Sequence, residues 1–171
     1  WQAVRIAISP FQPEFAGRTI DEIARGHSAD PLDTVCEYLI ADRGHTRIVV
    51  ESMSEDDVRA IMRRADVLVG SDGTSLAPYG TTSQGKPHPR LYGTFARVLG
   101  TYARDEHVLP LETAVHRMTG FPARKFGFAD RGEVRPGAFA DLVVFDPARI
   151  ADIATYQDPH HPPAGIAHVL V

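Results

Sequence analysis

A short apolar run that ends in a carboxylate constrains the fold of this chain more than any other feature. Residues 67–70 carry no polar side chain, and Ser71, Asp72 and Gly73 follow at once. Such a run favours a buried parallel strand, because strands covered on both faces are continuously hydrophobic. Catalytic residues of α/β enzymes gather where such strands end, and Gly73 would let the chain turn sharply there. Asp72 is therefore a candidate catalytic residue, although an Asp-Gly turn or a helix cap explains the same local pattern.

The residues before this run alternate strand and helix signals, as in an α/β protein. Segments 4–8 and 47–50 are rich in β-branched residues and predict strands, the second of them buried, while 19–25 predicts a short helix. Ser54 resembles the start of a capping box that opens a helix leading to residue 67. A strand, a helix and a second strand in this order predict a parallel pair with a right-handed crossover.

A further helix is expected between residues 30 and 44. Asp30 can cap it, Pro31 suits its first position, and Gly44 suits a left-handed C-terminal cap. Its apolar residues form one stripe, which we expect to face the core: Leu32, Val35, Cys36, Leu39 and Ile40.

Residues 73–93 have no periodic apolar pattern and are interrupted by prolines and glycines. A loop of this length in a compact domain often covers a functional site. It carries Tyr79, His88, Arg90 and Tyr92, which could reach back over the predicted strand end. Simpler interpretations are a solvated loop histidine for His88 and a surface ion pair for Arg90.

Beyond this loop the sequence predicts two helices and then two strands. The helices are expected at 94–106 and at 111–119, the second ending at Gly120. The strands are expected at 139–145 and 166–171. Helices followed by strands indicate a change of architecture toward the end of the chain.

Composition excludes several classes of partner. The chain has 171 residues and a formal net charge of -4 with interspersed signs, so it offers no basic patch for nucleic acid. Its apolar runs are too short to span a membrane. Cys36 is the single cysteine, which excludes an intramolecular disulfide and suits a reducing compartment, and we expect a cytoplasmic protein. His160 and His161 lack further ligands at usable spacing and are expected in a solvated loop.

Three motifs carry a family resemblance. Ser71-Asp72-Gly73, His88-Pro89-Arg90 and Tyr92-Gly93-Thr94-Phe95 are its most specific parts, and the predicted strand that contains Ala140-Asp141-Leu142 is shared more widely. From about Glu51 onward the sequence resembles the N-acyl-D-amino-acid deacylase (D-aminoacylase) family, a branch of the metal-dependent amidohydrolase superfamily. The resemblance implies a zinc-dependent hydrolase of small molecules.

The resemblance also implies an architecture. Residues 1–126 would be the C-terminal portion of a catalytic (β/α)8 barrel of the α/β class, with a substrate-covering loop at about 73–93, and 127–171 the C-terminal portion of a small β domain. The superfamily binds its metal with a His-x-His pair and further ligands, and this branch includes a cysteine among them. No His-x-His occurs here. We therefore expect a C-terminal fragment with no zinc site of its own and with the main ligands upstream of Trp1.

A mechanism follows from the resemblance for the complete enzyme. Zinc would lower the pKa of a bound water, and Asp72 would accept its proton and later deliver it to the leaving amine. Arg90 would hold the α-carboxylate of an N-acyl-D-amino acid, with His88 and Tyr92 as further substrate contacts. The products would be a D-amino acid and a carboxylic acid. By itself the fragment is expected to be inactive and, because strand edges are left unpaired, to self-associate.

Two alternatives remain open on the sequence. A hydantoinase-like or dihydroorotase-like enzyme, acting on cyclic amides, would share the strand near Asp141 and an aspartate at a strand end. It would not be expected to share the His88 to Phe95 segment. The second alternative is a non-catalytic fold fragment or partner-binding module, which the missing metal ligands favour. Zinc bound stoichiometrically by the purified chain would argue against that module.

Overall fold

The computed structural model describes all residues from 1 to 171. In chain order the helices and strands are β1 (Val4–Ile8), α1 (Ile20–His27), α2 (Pro31–Ala41), β2 (Arg47–Val50), α3 (Glu55–Arg63), α4 (Arg90–Arg97), α5 (Leu111–Met118), α6 (Gly120–Phe126), β3 (Leu142–Phe145) and β4 (Ile166–Leu170). A π-helix (Val98–Asp105) continues α4, and two short 3₁₀ turns occur at Pro13–Phe15 and Gly80–Thr82.

Contacts within the chain divide it into two units. The first unit contains residues 1–53, 74–91 and 154–161, and the second unit contains 54–73, 92–153 and 162–171. Each unit has its own hydrophobic core. From the sequence we expect a boundary near residue 126, between a barrel portion and a β domain. That boundary stays a prediction.

The first unit is built around an antiparallel strand pair. β1 and β2 pair with Val4 opposite Val50. The core beside them is formed by Ile6, Ile20, Ile23 and Tyr38. α1 opens with a capping box, because Thr19 accepts a hydrogen bond from the Glu22 N–H and the Glu22 carboxylate accepts one from the Thr19 N–H. The strands and helix expected in this region are confirmed, but β2 is buried only at Val49.

The apolar stripe expected on α2 does not face the core of the first unit. Asp30 caps the helix as predicted, accepting a hydrogen bond from the Leu32 N–H at 2.8 Å. Thr34 and Tyr38, however, are its buried residues. The exposed residues include Leu32, Cys36, Leu39 and Ile40. The prediction was wrong because helical periodicity shows that one face is apolar, and does not show whether anything within these 171 residues covers it.

The run at 67–70 is not a strand. Residues 67–69 are half-buried, and the chain pairs only β1 with β2 and β3 with β4, both antiparallel. The predicted parallel pair of 47–50 with this run is therefore wrong. A strand covered on both faces needs hydrogen-bonding neighbours, and none of the strands in this chain supplies an edge to it. One backbone hydrogen bond holds the run, from the Val69 N–H to the Arg117 carbonyl at 3.3 Å.

The second unit is mainly helical. Ser54 caps α3 by accepting a hydrogen bond from the Asp56 N–H at 3.2 Å, which confirms the predicted helix start. Its core is formed by Ala96, Val98, Leu99, Tyr102, Ala103, Leu109, Ala114 and Ile150. α3 is tied to the π-helix by the Tyr102 hydroxyl, which donates to Glu55 at 2.8 Å.

α4 begins four residues earlier than the sequence predicts. Its first residue is Arg90, and Gly93, expected to end the loop, lies inside the helix and is buried. α5 matches its predicted range, but Gly120 begins α6 where a stop was expected. Pro122 falls in the first turn of α6, where a missing N–H is tolerated, and Gly127 ends that helix with a φ of 78°.

β3 and β4 form an antiparallel pair, with Leu142 opposite Leu170. Both predicted strands are confirmed, the first being shorter than expected at its N-terminal end. All five residues of β4 are exposed. The helices of the structure include none with the length and hydrophobicity to cross a bilayer.

Candidate active site

Asp72 is exposed in an irregular segment of the second unit. Its φ is 47°, in the left-handed region that aspartate tolerates better than most residues. The Gly73 N–H donates to Ser71 Oγ at 3.3 Å. Contrary to the prediction from the sequence, Asp72 does not follow a strand but lies in an irregular, exposed segment with a left-handed backbone.

Arg117 anchors the segment that leads to this turn. Its side chain is buried and donates a hydrogen bond to the Met62 carbonyl, and its own carbonyl accepts from the Val69 N–H. Sequence reasoning missed Arg117, because an arginine in the last turn of a helix normally interacts with solvent and the helix dipole. The sequence signal for burial of Arg117 was its position beside Met118, which belongs to the apolar face of the helix.

The end of the long loop is fixed against β1 in the first unit. The Lys86 N–H donates to the Ala7 carbonyl at 2.6 Å. Gly85 has a φ of 71°, and a Cβ there would lie 2.5 Å from the same carbonyl oxygen. Pro87 and Pro89 are buried. Irregular structure in this loop extends from residue 73 to 89 and includes one 3₁₀ turn, and its last five residues are buried or half-buried.

His88 is held at both ring nitrogens. Nδ1 accepts a hydrogen bond from the Arg90 N–H at 3.0 Å, and Nε2 lies 3.1 Å from the Tyr156 hydroxyl. The two rings meet edge to face, with centroids 5.1 Å apart. The interpretation of His88 as a solvated loop histidine is therefore wrong, since both nitrogens have protein partners.

Arg90 and Tyr92 lie at the start of α4. Arg90 is the first residue of the helix and is exposed, so its guanidinium is accessible to an anion. Tyr92 is half-buried, and burial raises the pKa of its hydroxyl above the ordinary value. A neutral hydroxyl at physiological pH can donate a hydrogen bond to a substrate oxygen. The structure thus links His88 with Arg90 through a hydrogen bond, while Asp72 and Tyr92 belong to the second unit.

The segment 154–161 contributes to this region and was missed by sequence reasoning. Besides Tyr156, it supplies His160, whose Nε2 lies 2.9 Å from the Gly85 carbonyl. His160 is half-buried, so its predicted place in a solvated loop is wrong, whereas His161 forms an exposed ion pair with Asp158 at 2.7 Å. The signal in the sequence was the group of rings near Pro159, namely Tyr156, His160 and His161, which is typical of a segment that packs against other residues.

No group of three or more His, Cys, Asp and Glu side chains lies close enough together to hold a metal ion. Two surface clefts are lined by residues of the second unit, one along α5 and one beside the π-helix. None of the four candidate site residues lines either cleft. These residues therefore offer a proton acceptor, a cation and two hydrogen-bonding rings on exposed or half-buried positions.

Comparison with known proteins relates this chain to enzymes. The D-aminoacylase of Alcaligenes xylosoxydans xylosoxydans is 46% identical over 162 residues, which are 95% of this chain and 31% of that protein. A crystal structure of a D-aminoacylase, described as defining a novel subset of amidohydrolases, matches with a TM-score of 0.83 at 43% identity, over 98% of this chain and 33% of the other.

A second solved structure adds a ligand. It is the N-acyl-D-glutamate deacylase from Bordetella bronchiseptica, complexed with zinc and a phosphonate mimic of the tetrahedral intermediate. It matches with a TM-score of 0.81 at 42% identity, over 99% of this chain and 33% of that chain. The chain thus spans about a third of the length of these relatives. The amidohydrolase family profile matches residues 5–171, and the chain therefore belongs to the amidohydrolase family, with the similarity to D-aminoacylases that its motifs predict.

Proposed function

We propose that this chain supplies the proton-transfer and carboxylate-binding residues of a zinc-dependent hydrolase that acts on N-acyl-D-amino acids. The reaction cleaves an amide C–N bond other than a peptide bond and releases a D-amino acid and a carboxylic acid. The observation that carries the proposal is 46% identity to a D-aminoacylase over 95% of this chain. The match to a deacylase structure with a mimic of the tetrahedral intermediate supports it further.

Asp72 is the proposed general base and acid. Amide hydrolysis needs a group that takes a proton from the attacking water and delivers it to the leaving nitrogen. Asp72 is exposed and has a left-handed backbone, and both features are consistent with this role. Residues in sparsely populated backbone conformations occur often at active sites, which adds support.

Arg90 is the proposed anchor for the substrate α-carboxylate. A guanidinium forms two parallel hydrogen bonds to a carboxylate, which fixes orientation as well as position. Arg90 is exposed at the first position of α4. His88 and Tyr92 are proposed as further substrate contacts. His88 is hydrogen-bonded to the backbone of Arg90, and the hydroxyl of Tyr92 is neutral and can donate a hydrogen bond.

Zinc does not fit the residues of this chain alone. A protein zinc site takes at least three side-chain ligands, and no such cluster of His, Cys, Asp and Glu is present. We therefore assign the main zinc ligands to other parts of a longer chain, upstream of Trp1. By itself the chain should not hydrolyse N-acyl-D-amino acids.

The proposed architecture of the parent enzyme follows the relatives. Residues 1–126 would complete a (β/α)8 barrel, with 73–93 covering the substrate, and 127–171 would complete a small β domain. The antiparallel β3–β4 pair supports the second assignment. The mixed helices and strands of the first 126 residues support the first. The exposed, unpaired Cys36 is consistent with a cytoplasmic enzyme.

The test is a substrate panel with the full-length enzyme. It contains N-acetyl-D-amino acids with neutral and acidic side chains, their L-enantiomers, and two cyclic amides, a hydantoin and dihydroorotate. We expect zinc-dependent hydrolysis of the D-series, with little or none of the L-series. Turnover of the cyclic amides without turnover of N-acetyl-D-amino acids would assign the protein to the other substrate class.

A further inference from the structure

We propose that Tyr156 is a positioning residue for the substrate anchor, because its hydroxyl accepts from His88 Nε2–H and holds in place the ring whose Nδ1 fixes the start of α4 at Arg90. The inference rests on the proposed function, in which Arg90 binds the substrate carboxylate. Tyr156 lies 66 positions after Arg90 in the sequence, and no motif connects the two.

The hydrogen bonds determine the tautomer of His88. Its Nδ1 accepts from the backbone N–H of Arg90 at 3.0 Å, so Nδ1 carries no proton. In a neutral imidazole the proton is then on Nε2. Nε2 lies 3.1 Å from the Tyr156 hydroxyl, so Nε2–H donates to the tyrosine oxygen. The partner of one ring nitrogen thus selects the state of the other, as for many functional histidines.

The tautomer matters for the first turn of α4. The first N–H groups of a helix have no partner within it, and His88 Nδ1 accepts from the N–H of Arg90, the first residue of α4. The opposite tautomer would place an N–H against an N–H and break this contact. Without it, the backbone at Arg90 can fray, and the orientation of the guanidinium is lost with it.

Tyr156 is itself held in place within the first unit. The Arg5 guanidinium lies over its ring at 5.8 Å from the centroid, and the ring meets that of His88 at 75°. Arg5 is fixed in turn by a hydrogen bond from Nη1 to the Gly17 carbonyl at 2.6 Å. His160, four residues after Tyr156, contacts the Gly85 carbonyl. The segment 154–161 thus touches the end of the loop at two points, which makes it a rigid support.

The test uses the full-length enzyme with Tyr156→Phe, which keeps the ring and removes the oxygen. We expect KM for N-acetyl-D-amino acids to rise about fivefold to tenfold with kcat nearly unchanged, as for loss of one hydrogen bond. Neutral amide analogues without the α-carboxylate should be affected less than twofold. Tyr38→Phe is the matched control, because it removes the hydroxyl of a tyrosine of the same unit that lies in α2, outside the loop. An equal loss on both substrate types would overturn the proposal.

A second readout does not depend on activity. In ¹⁵N-labelled enzyme, the backbone amide of Arg90, which donates to His88 Nδ1, should exchange with solvent faster in Tyr156→Phe than in the wild type. An unchanged exchange rate would refute the link. If the wild type hydrolysed no N-acyl-D-amino acid, the proposed function would fail, while this exchange rate would still decide whether Tyr156 positions His88.

A double variant isolates the path through His88. Asn Oδ1 occupies the place of Nδ1 and can accept from the Arg90 N–H, but asparagine has no atom that reaches Tyr156. In a His88→Asn background, Tyr156→Phe should therefore change KM by less than twofold, where it changes KM about fivefold or more in the wild type. Additive effects of the two substitutions would show that Tyr156 acts by another route.

Discussion

The carboxylate of Asp152 lies directly against the backbone of Gly93, in the space that a Cβ at that position would fill. Gly93 is buried within α4, in the Tyr92 to Phe95 motif that carries part of the family resemblance. The motif glycine is therefore explained by a close approach inside the second unit, and no contact with substrate is needed to account for it.

Gly93→Ala should destabilise the protein by about 1–3 kcal/mol, because Asp152 must move out of an overpacked site. In an Asp152→Ala background the same change should stabilise by about 0.5–1 kcal/mol, since alanine favours a helix over glycine. Denaturant unfolding of the four proteins of this cycle measures both values. The same sign in both backgrounds would contradict the role given to Asp152.

Gly85→Ala should cost more stability than Gly44→Ala, although both glycines have a φ of 71°. The left-handed backbone costs either alanine about 1–2 kcal/mol. Only at Gly85 would the new Cβ also meet a backbone oxygen, that of Ala7 at 2.5 Å, whereas nothing lies within 4 Å at Gly44. Thermal melts of the two variants make the comparison, and equal losses would show that the loop end is not packed on β1.

Asp42 should make the free energy of unfolding depend on pH in the acidic range. Burial alone would raise the pKa of this carboxyl, but hydrogen bonds from Thr46, the Phe11 N–H and Ser9 outweigh it and lower the pKa below the ordinary value. A carboxyl with a lowered pKa in the folded state stabilises above its unfolded pKa of about 3.9. This contribution is lost as pH falls through the lower, folded-state pKa.

Asp42→Asn should therefore be less stable than the wild type at pH 7, and the difference should shrink below about pH 4. Urea midpoints measured from pH 7 to pH 2.5 test this. A difference that stays constant over the whole range would mean that the charge of Asp42 contributes nothing.

Substitutions of Asp72 and of Arg90 should change different kinetic properties of the full-length enzyme. Asp72→Asn removes the proton acceptor, so kcat should fall by about 10²–10⁴-fold while zinc content stays near normal. Arg90→Ala should lower kcat/KM for N-acyl-D-amino acids and spare analogues without the α-carboxylate. Steady-state kinetics and metal analysis check both. Turnover retained by Asp72→Asn, or equal damage to both substrate types by Arg90→Ala, would contradict the assigned roles.

The isolated chain should self-associate through α2, whose exposed apolar residues include Leu32 at 58% and Ile40 at 79% exposure. Apolar faces of this kind are normally covered by another element or chain. Replacing Leu32 and Ile40 with Glu should shift light scattering toward a monomer. Val134→Glu, at an 89% exposed position outside α2, serves as the control. A wild-type chain that stays monomeric at high concentration would refute this prediction.

Local signals in the sequence were sufficient for most helices and strands. Asp30 and Ser54 cap their helices as expected, because a cap depends on a side chain and an N–H two or three residues away. The family motifs likewise predicted the likeness to D-aminoacylases, since a motif is carried by a few neighbouring residues, whereas the roles of Asp72 and Arg90 stay predictions.

Tertiary structure decided what depends on distant partners. The sequence of residues 67–70 predicts a strand, but no neighbouring strand pairs with them. β2 pairs antiparallel with β1 instead. The link from Tyr156 through His88 to Arg90 joins segments far apart in sequence, and no local pattern predicts it. The apolar face of α2 shows the same division: periodicity determines that such a face exists, and only packing determines whether these 171 residues cover it.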